Sequence, residues 1–206
     1  MDAKCKICRR AGEKLFLKGE RCFTPKCAMV KRPYAPGRLE SERKHRSSTS
    51  EFGTQLREKQ KVRNLYGINE RQFSNYVKRA MAEKGKNITG HLFENLELRL
   101  DNAIYRLGFV SSRALARQFV SHGHAIVNGK KITVPSYSLR VGDAISFRDG
   151  SKLNKLYPIA MERAKNYTSP MWLNLNKETL SAEVMGKPKD IDTLFNLQSV
   201  IEFYSR

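Results

Sequence analysis

Four cysteines near the beginning of the sequence carry its clearest chemical signal. Cys5, Cys8, Cys22 and Cys27 follow the spacing C-x2-C-x13-C-x4-C, and no other cysteine occurs in the 206 residues. Two knuckles with such spacing present four thiolates to a tetrahedral zinc ion. Four protein thiolates leave no open position for water, so the pattern predicts one structural zinc rather than a catalytic metal. Two alternatives stay open, an iron–sulfur cluster and cysteines that are free or joined in disulfides.

The charge of the chain indicates a polyanionic partner. The sequence contains 39 Lys and Arg against 20 Asp and Glu, a formal net charge of +19. Residues 1–86 hold 23 basic and 9 acidic residues, so most of the excess lies in the first part of the chain. A charge this large destabilises a compact state unless a polyanion neutralises it. Nucleic acid is therefore the first partner to consider, and an acidic membrane surface is the competing one.

Nothing in the sequence fits a membrane span or a secretory signal. The longest uninterrupted apolar run is Cys27–Val30, whereas a transmembrane helix needs about 20 apolar residues. The first ten residues, MDAKCKICRR, contain no apolar stretch after their basic residues. We therefore expect a cytosolic chain without a membrane partner.

Basic side chains surround the cysteines and continue into an extended segment. Residues 31–53 combine two prolines, two glycines and a Ser/Thr run, which predicts an arm or linker. We therefore assign residues 1–53 to a zinc-knuckle segment and a basic arm. The cations expected to meet RNA from this region are Arg9, Arg10, Lys44 and Arg46.

Three helices are predicted from apolar periodicity and capping residues. The first, Thr54–Tyr66, has a narrow apolar face. The second has Asn69 as its N-cap, places apolar side chains on one stripe and is closed by Gly85. The third, Thr89–Leu107, gives the strongest pattern because its Leu and Ile residues share one face.

The first of these helices is crowded with positive charge. Its cations form two like-charge pairs four residues apart, Arg57 with Lys61 and Lys59 with Arg63. Each such pair destabilises an isolated helix by about 0.2–0.5 kcal/mol. Phosphates lying alongside would reverse the sign of that effect. We therefore predict RNA contacts from these four residues and from Arg71, with an ordinary solvated helix face as the alternative.

Residues 111–147 predict a helix followed by β-strands. The segment 111–122 predicts a helix capped by Ser111 or Ser112, with inward side chains Ala114, Leu115, Phe119 and Val120. Asn128-Gly129 then separates two β-branched runs, which predicts a type I′ hairpin because both turn residues must adopt positive φ. The run AISF that follows Asp143 predicts a third strand.

Cations of this region are expected to form a concave basic surface. Arg113 and Arg117 lie one helical turn apart, and Lys130 and Lys131 directly follow the hairpin turn. A-form RNA is recognised by shape and phosphates, so such a surface needs no catalytic residue. His122 is a further candidate for donating to phosphate or 2′-OH groups, with a turn or core histidine as the alternative.

These elements predict an α+β fold. Residues 54–93 form a helical domain, residues 94–160 form a helix–helix–β-hairpin RNA-binding module with a small sheet, and residues 161–206 form a tail that packs on the helical domain. No homo-oligomer is expected.

Four long runs make the sequence specific beyond its composition. They are EKQKVRNLYGINERQFSNYVKRA (58–80), FENLELRLDNAIYRLGF (93–109), SSRALARQFVSHGHAIVNGKKITVPSYSLRVGD (111–143) and IEFYSR (201–206). In these four runs, and over nearly its whole length, the chain resembles the small-subunit ribosomal protein S4 family. The four cysteines match the zinc-bearing form found in many bacterial members, while other members lack them. The sequence departs from the usual family pattern at Ser47–Ser50 and over 175–189.

The resemblance implies a non-catalytic component of the small ribosomal subunit in the cytoplasm. Members of this family bind small-subunit ribosomal RNA early in assembly, at a junction of helices in the 5′ domain. They touch the neighbouring small-subunit protein S5, line the mRNA entrance and influence decoding accuracy. Residues that match the RNA contacts of the family's hairpin module are Arg113, Arg117, Asn128, Lys130 and Lys131.

Two other functions compete with this one. Pseudouridine synthases and tyrosyl-tRNA synthetases carry the same hairpin module, but they need a separate catalytic domain. The sequence has no phosphate-cradling Gly loop and no catalytic Asp motif that would supply one. A zinc-ribbon regulator would instead bind a DNA duplex more tightly than folded RNA.

Overall fold

The structure is a computed structural model that describes residues 3–37, 49–83, 87–153, 156–189 and 195–206. Within these ranges the helices are α1 (Ala3–Ala11), α2 (Ala28–Lys31), α3 (Glu51–Tyr66), α4 (Glu70–Ala82), α5 (Ile88–Glu97), α6 (Leu100–Arg106), α7 (Arg113–Ser121), α8 (Asp149–Lys152), α9 (Leu156–Lys165) and α10 (Leu197–Tyr204). A 3-10 turn, Gly19–Cys22, precedes α2. The strands are β1 (Ala125–Val127), β2 (Lys130–Ile132), β3 (Ala144–Phe147), β4 (Leu173–Asn176) and β5 (Ser181–Val184).

The chain divides into two compact units. Unit 1 comprises Met1–Glu83 with Asp192–Arg206, and unit 2 comprises Lys84–Ile191. Among the described residues no helix is both long enough and apolar enough to cross a bilayer. The α+β fold class predicted from the sequence is confirmed, because helices accompany an antiparallel sheet in the same chain.

Unit 1 is held together by three helices, α3, α4 and α10. The Asn69 side chain accepts a hydrogen bond from the Gln72 N–H at 2.8 Å and so caps α4 as predicted. α3 begins at Glu51, before the predicted Thr54, because Ser50 caps it by accepting from the Gly53 N–H. The helix end predicted at Gly85 lies outside the described residues. The buried apolar side chains of the three helices are Val62, Leu65, Tyr66, Phe73, Val77, Ala80, Leu197, Val200 and Ile201.

Unit 2 contains a five-stranded antiparallel sheet in the order β2-β1-β3-β5-β4. The predicted hairpin joins β1 to β2, and Asn128 and Gly129 take φ values of 49° and 77°, which confirms the type I′ turn. The Asn128 side chain donates to Asp143 Oδ1 at 2.7 Å and accepts from the Ala144 N–H at 2.9 Å. This residue therefore fastens the turn to the start of β3.

The two units divide the chain differently from the predicted domains. The sequence predicted a tail, residues 161–206, that packs on the helical domain, whereas β5 pairs with β3 and places Ala182 opposite Ile145. Residues 161–189 therefore lie in unit 2, whereas α10 at the end of the chain packs with α3 in unit 1. The reason is that β3 needs a second partner for its backbone groups, which β5 supplies.

The predicted single helix Thr89–Leu107 is two helices. Arg99 has extended backbone angles, φ −68° and ψ 137°, and separates α5 from α6. The Leu100 N–H donates to the Tyr137 carbonyl at 2.9 Å, and the Leu98 carbonyl accepts from the Leu139 N–H at 2.9 Å. Backbone partners more than thirty positions away thus replace the helical hydrogen bonds. The predicted apolar face is nevertheless buried throughout, at Leu92, Leu96, Leu100, Ile104 and Leu107.

Helix α7 follows its predicted boundaries but not every predicted inward position. Ser112 caps it by accepting from the Leu115 N–H. Phe119 is buried as predicted, whereas Ala114 is exposed and Ala116 takes the inward position. Ala116 lies three residues before Phe119, so the two side chains share a face of the helix.

Gly108 occupies a position that no other residue fits. Its φ is +75°, and a Cβ added there would lie 2.7 Å from Cγ of the Tyr167 ring. Gly108→Ala is expected to destabilise unit 2 by about 3 kcal/mol, because left-handed backbone strain adds to overpacking. Urea unfolding of the full chain measures this loss. Gly67→Ala is the matched control: the φ there is +65° with open space around it, and only the strain of about 1 kcal/mol remains. Equal losses at both positions would contradict the steric argument.

Candidate nucleic-acid interface

α1 and the 3-10 turn bring the four cysteines to one small cavity. Cys5 and Cys8 lie three residues apart in α1, Cys22 ends the 3-10 turn, and Cys27 directly precedes α2. All four line the cavity, and each is a free thiol. Burial raises the pKa of the Cys8 thiol, and the negative charge of the other three thiolates raises it further, against one backbone hydrogen bond that lowers it.

The cysteines are gathered but do not form a coordination site. In the part of the chain that the structure describes, no group of three or more His, Cys, Asp or Glu side chains is arranged to hold a metal ion. The four predicted ligands therefore line the same cavity, and the metal ion itself stays a hypothesis.

The two arginines after Cys8 differ in exposure. Arg9 is buried, donates from Nε to the Tyr34 carbonyl at 2.8 Å, and places its guanidinium 4.7 Å from the Tyr34 ring centre. These contacts connect α1 to the segment after α2, and the RNA contact expected from Arg9 stays a prediction. Arg10 is exposed, as expected for an RNA-facing cation. Lys44 and Arg46 lie outside the described residues.

Lys59 and Lys61 are buried ion-pair partners rather than exposed cations. Lys59 Nζ lies 2.6 Å from a Glu70 carboxylate oxygen and 4.6 Å from the Phe203 ring centre. Lys61 Nζ lies 2.8 Å from Glu13 and 3.0 Å from Glu58. Their exposed side-chain fractions are 8% and 6%. Little of either side chain is left to meet RNA, and RNA contact from these two residues stays a prediction.

Hydrogen bonds to the carboxylates around α3 shift two pKa values, those of Lys61 and Glu70. Burial alone lowers the pKa of Lys61, but hydrogen bonds to Glu13 and Glu58 outweigh it and the pKa is raised. Burial raises the pKa of Glu70, but hydrogen bonds from Lys59 and Tyr204 outweigh that effect, so the pKa is lowered.

Three further cations of α3 and α4 have different surroundings. Arg63 is half-buried, with Nη1 3.2 Å from Glu70. Arg57 and Arg71 are exposed. The exposed positive charge of α3 and α4 therefore comes from Arg57, Arg71, Lys78 and Arg79. Of the four cations in the like-charge pairs, Arg57 is the exposed one.

In unit 2, two buried carboxylates lie among four arginines. Glu97 is beside Arg106 and Arg113, at 2.8 and 4.0 Å, and Asp101 is beside Arg99 and Arg117, at 2.6 and 3.7 Å. We call these six residues the arginine cluster. Four guanidinium groups against two carboxylates leave a formal excess of two positive charges. A desolvated excess of this kind favours an anion nearby.

Arg113 and Arg117 are the members of the arginine cluster that sequence analysis assigned to RNA binding. Arg113 is half-buried, donates from Nε to Asn102 at 2.8 Å, and stacks 4.5 Å from the Tyr105 ring centre. The Arg117 side chain is 42% exposed, although its Nη1 atom is buried and forms no hydrogen bond with the described residues. Arg117 therefore has more capacity left for an outside ligand than Arg113.

A second group of cations surrounds His124 beside the hairpin. Burial lowers the pKa of His124, and the positive charges of His122, Arg148 and Lys131 lower it further. The His124 ring contacts Ser151 Oγ at 2.8 Å. We call His122, His124, Lys131 and Arg148 the hairpin patch. His122, Lys131 and Arg148 are exposed, so this surface presents positive charge to solvent.

The structure shows different surroundings for the residues of the hairpin. Lys130 is exposed as expected, whereas the Asn128 side chain forms its hydrogen bonds within the protein, with Asp143 and Ala144. Arg148 was not selected from the sequence. Its position directly after the predicted strand AISF was the signal that would have found it, because β3 lies beside β1 in the sheet.

Comparison with known proteins covers the whole chain. The family model described as "Ribosomal protein S4/S9 N-terminal domain" matches residues 1–97, and the "S4 domain" model matches residues 98–145. The chain is 48% identical to "Small ribosomal subunit protein uS4" of Syntrophomonas wolfei over 100% of this chain and 98% of that protein. The chain belongs to the ribosomal protein S4 family. It is also 49% identical to the protein of the same name from Heliobacterium modesticaldum, over 98% of this chain and 96% of that protein, and 48% identical to "Small ribosomal subunit protein uS4A" of Clostridium novyi, over 100% and 98%.

The two matched parts of this S4-family chain meet at a structural boundary. The first ends at Glu97, the last residue of α5, and the S4 domain begins at Leu98, beside the extended Arg99. The S4 domain then includes α6, α7, the hairpin and the first residues of β3. The arginine cluster spans this boundary, since Glu97 lies on one side of it and its arginines lie on the other.

Proposed function

We propose that this chain is a structural, non-catalytic component of the small ribosomal subunit that binds small-subunit ribosomal RNA in the cytoplasm. The observation that carries this proposal is the 46–49% identity, over at least 98% of the chain, to relatives named small ribosomal subunit protein uS4 or uS4A. The net charge of +19 supplies the attraction that binding a folded polyanion needs.

The proposed RNA contacts are the exposed or partly exposed cations that sequence analysis selected, together with Arg148. In unit 1 they are Arg10, Arg57 and Arg71. In unit 2 they are Arg117, Lys130, and three members of the hairpin patch, His122, Lys131 and Arg148. Guanidinium groups suit this task because their fork of N–H donors matches phosphate oxygens.

A more specific proposal concerns where on the RNA the chain binds and how it affects translation. The chain docks early in assembly at a junction of helices in the 5′ domain of the RNA, beside small-subunit protein S5 and near the mRNA entrance. From that position it contributes to decoding accuracy. The resemblance of the four long sequence runs to the family supports this assignment.

Binding of a 5′-domain transcript at several salt concentrations tests the proposal. If about eight phosphates are neutralised, log K against log[salt] is expected to have a slope of about −7. Lys131→Gln, in the hairpin patch, is expected to make the slope shallower by about one unit because one phosphate contact is lost. Filter binding with the full chain measures both values.

The matched control is Lys187→Gln. Lys187 is already paired with Glu94 at 2.7 Å, so its removal should leave the slope nearly unchanged. Tighter binding to a DNA duplex or to transfer RNA than to the transcript would overturn the ribosomal assignment. A slope shallower than about −2 would contradict the basic-surface account.

We also propose that Cys5, Cys8, Cys22 and Cys27 hold one structural zinc ion. The donor chemistry fits, because four thiols line one cavity. Burial raises the pKa of Cys8, and the charges of the other three thiolates raise it further. A cation among them would relieve the repulsion between these charges and favour the thiolate forms. The ion would join α1 to α2 and supply no reaction chemistry, since no ligand position would be left for water.

A further inference from the structure

α1 and α3 enclose a cleft of about 370 Å³ whose interior none of the functions above uses. Its wall is mainly apolar and is formed by Ile7, Ala11 and Leu56. Gln60 and Asn64 lie one helical turn apart on α3 and add two amide groups to the same cleft. The size lies within the range of pockets that bind small organic groups, and an apolar wall with few polar groups is their usual composition.

The rim of the cleft is positively charged. Arg10 and Arg57 line it and are exposed, and the described residues provide neither with an ion pair. Lys61 also lines the cleft, but Glu13 and Glu58 neutralise it. No acidic side chain is among the lining residues. The cleft therefore combines an apolar interior with two cations at its mouth.

This combination matches one nucleotide of an RNA chain. An unstacked base has two apolar faces and an edge of donors and acceptors, and the phosphates on both sides of it carry negative charge. The apolar wall suits the base faces, the two amides suit the base edge, and the two arginines suit the flanking phosphates. A chain with a net charge of +19 favours such a polyanion over a peptide.

We propose that the cleft between α1 and α3 receives one unstacked base of the bound RNA. The inference rests on the proposed binding of small-subunit ribosomal RNA. It adds a site where an individual base is held, whereas the exposed cations described above act mainly on phosphates.

Filling the cleft tests the inference without changing charge. Ala11→Phe, at the last residue of α1, is expected to weaken binding of the 5′-domain transcript roughly tenfold, or about 1.4 kcal/mol, because the added ring takes the space of the base. The slope of log K against log[salt] should stay unchanged, because Arg10 and Arg57 remain. Ala82→Phe is the matched control, since Ala82 is the last residue of α4 and is exposed. It should bind like the unmodified chain.

A second variant guards against misfolding of α1. Asn64→Leu keeps the side-chain size but removes one amide, and a loss of about fivefold is expected because a base-edge donor or acceptor would be left unpaired. The melting temperature and metal content of both variants are compared with those of the unmodified chain. Unchanged affinity in Ala11→Phe and Asn64→Leu would overturn the cleft proposal.

Crosslinking identifies the occupant directly. With the diazirine photo-leucine in place of Leu56, which keeps the size of the side chain in the cleft wall, irradiation of the complex should label one nucleotide of the transcript. Labelling of this chain itself, or of many nucleotides equally, would overturn the proposal. If the unmodified chain fails to bind the transcript, the proposed function fails. If the chain binds but Ala11→Phe has no effect, only the cleft proposal fails.

Discussion

Asp101→Ala is expected to destabilise unit 2 by about 3–5 kcal/mol, the range found when one partner of a buried ion pair is removed. The Arg99 side chain is 1% exposed, and both of its contacts to Asp101, at 2.6 and 3.0 Å, are made in the interior. Asp101 also accepts from the Asn102 N–H at 2.9 Å, so the first turn of α6 loses an acceptor as well. Urea unfolding of the full chain, followed by the fluorescence of Trp172 in unit 2, measures the loss.

The control for this prediction is an exposed ion pair in the same unit. Asp149 lies 2.7 Å from Lys152, and its side chain is 89% exposed. Asp149→Ala is expected to leave the unfolding midpoint unchanged within error, because exposed pairs contribute little to stability. If the two variants lose the same stability, burial does not determine how much the Arg99–Asp101 pair contributes to the free energy of unfolding.

Loss of one cysteine is expected to abolish stoichiometric metal binding. Cys8→Ser replaces a buried thiol by a hydroxyl that does not form a soft thiolate ligand, so zinc should fall from one per chain to a small fraction in the presence of a chelator. Because structural zinc contributes directly to folding free energy, residues 3–37 should become sensitive to protease. Metal analysis of the purified chain and timed proteolysis measure the two effects.

Ala28→Ser is the matched control for the cysteine variant. Ala28 lines the same cavity, so the substitution adds a hydroxyl there without removing a thiol. It should keep the metal and its resistance to protease. Iron with sulfide in place of zinc would favour the cluster alternative, and a metal-free chain with an intact segment 3–37 would refute the metal site.

Local signals in the sequence were enough to place several elements. Asn69 and Ser112 cap their helices as predicted, since a cap involves only residues two or three positions away. The Asn128-Gly129 turn is likewise determined by the backbone preference of two neighbours. The four long runs also indicated the family and its function, because each matches the family over many consecutive residues.

Partners distant in sequence account for what could not be predicted. The break at Arg99 depends on backbone groups of Tyr137 and Leu139, which no helical periodicity reveals. Lys59 looked like a solvent-facing cation until the fold placed Glu70 and Phe203 around it. Charge counts locate a basic segment, but they do not separate a cation that faces water from one that neutralises a buried carboxylate.

The position of α10 in unit 1 has a consequence for how the chain is made. Residues 195–206 are synthesised after the whole of unit 2, yet Tyr204 and Arg206 contact Glu70 and Glu51 of unit 1. Unit 2 is one continuous stretch of chain and can complete its core first, which reverses the usual order in which domains fold during synthesis. Until translation reaches α10, the apolar faces of α3 and α4 lack the cover that this helix supplies. The nascent chain is therefore most exposed to aggregation in the segment that was translated earliest.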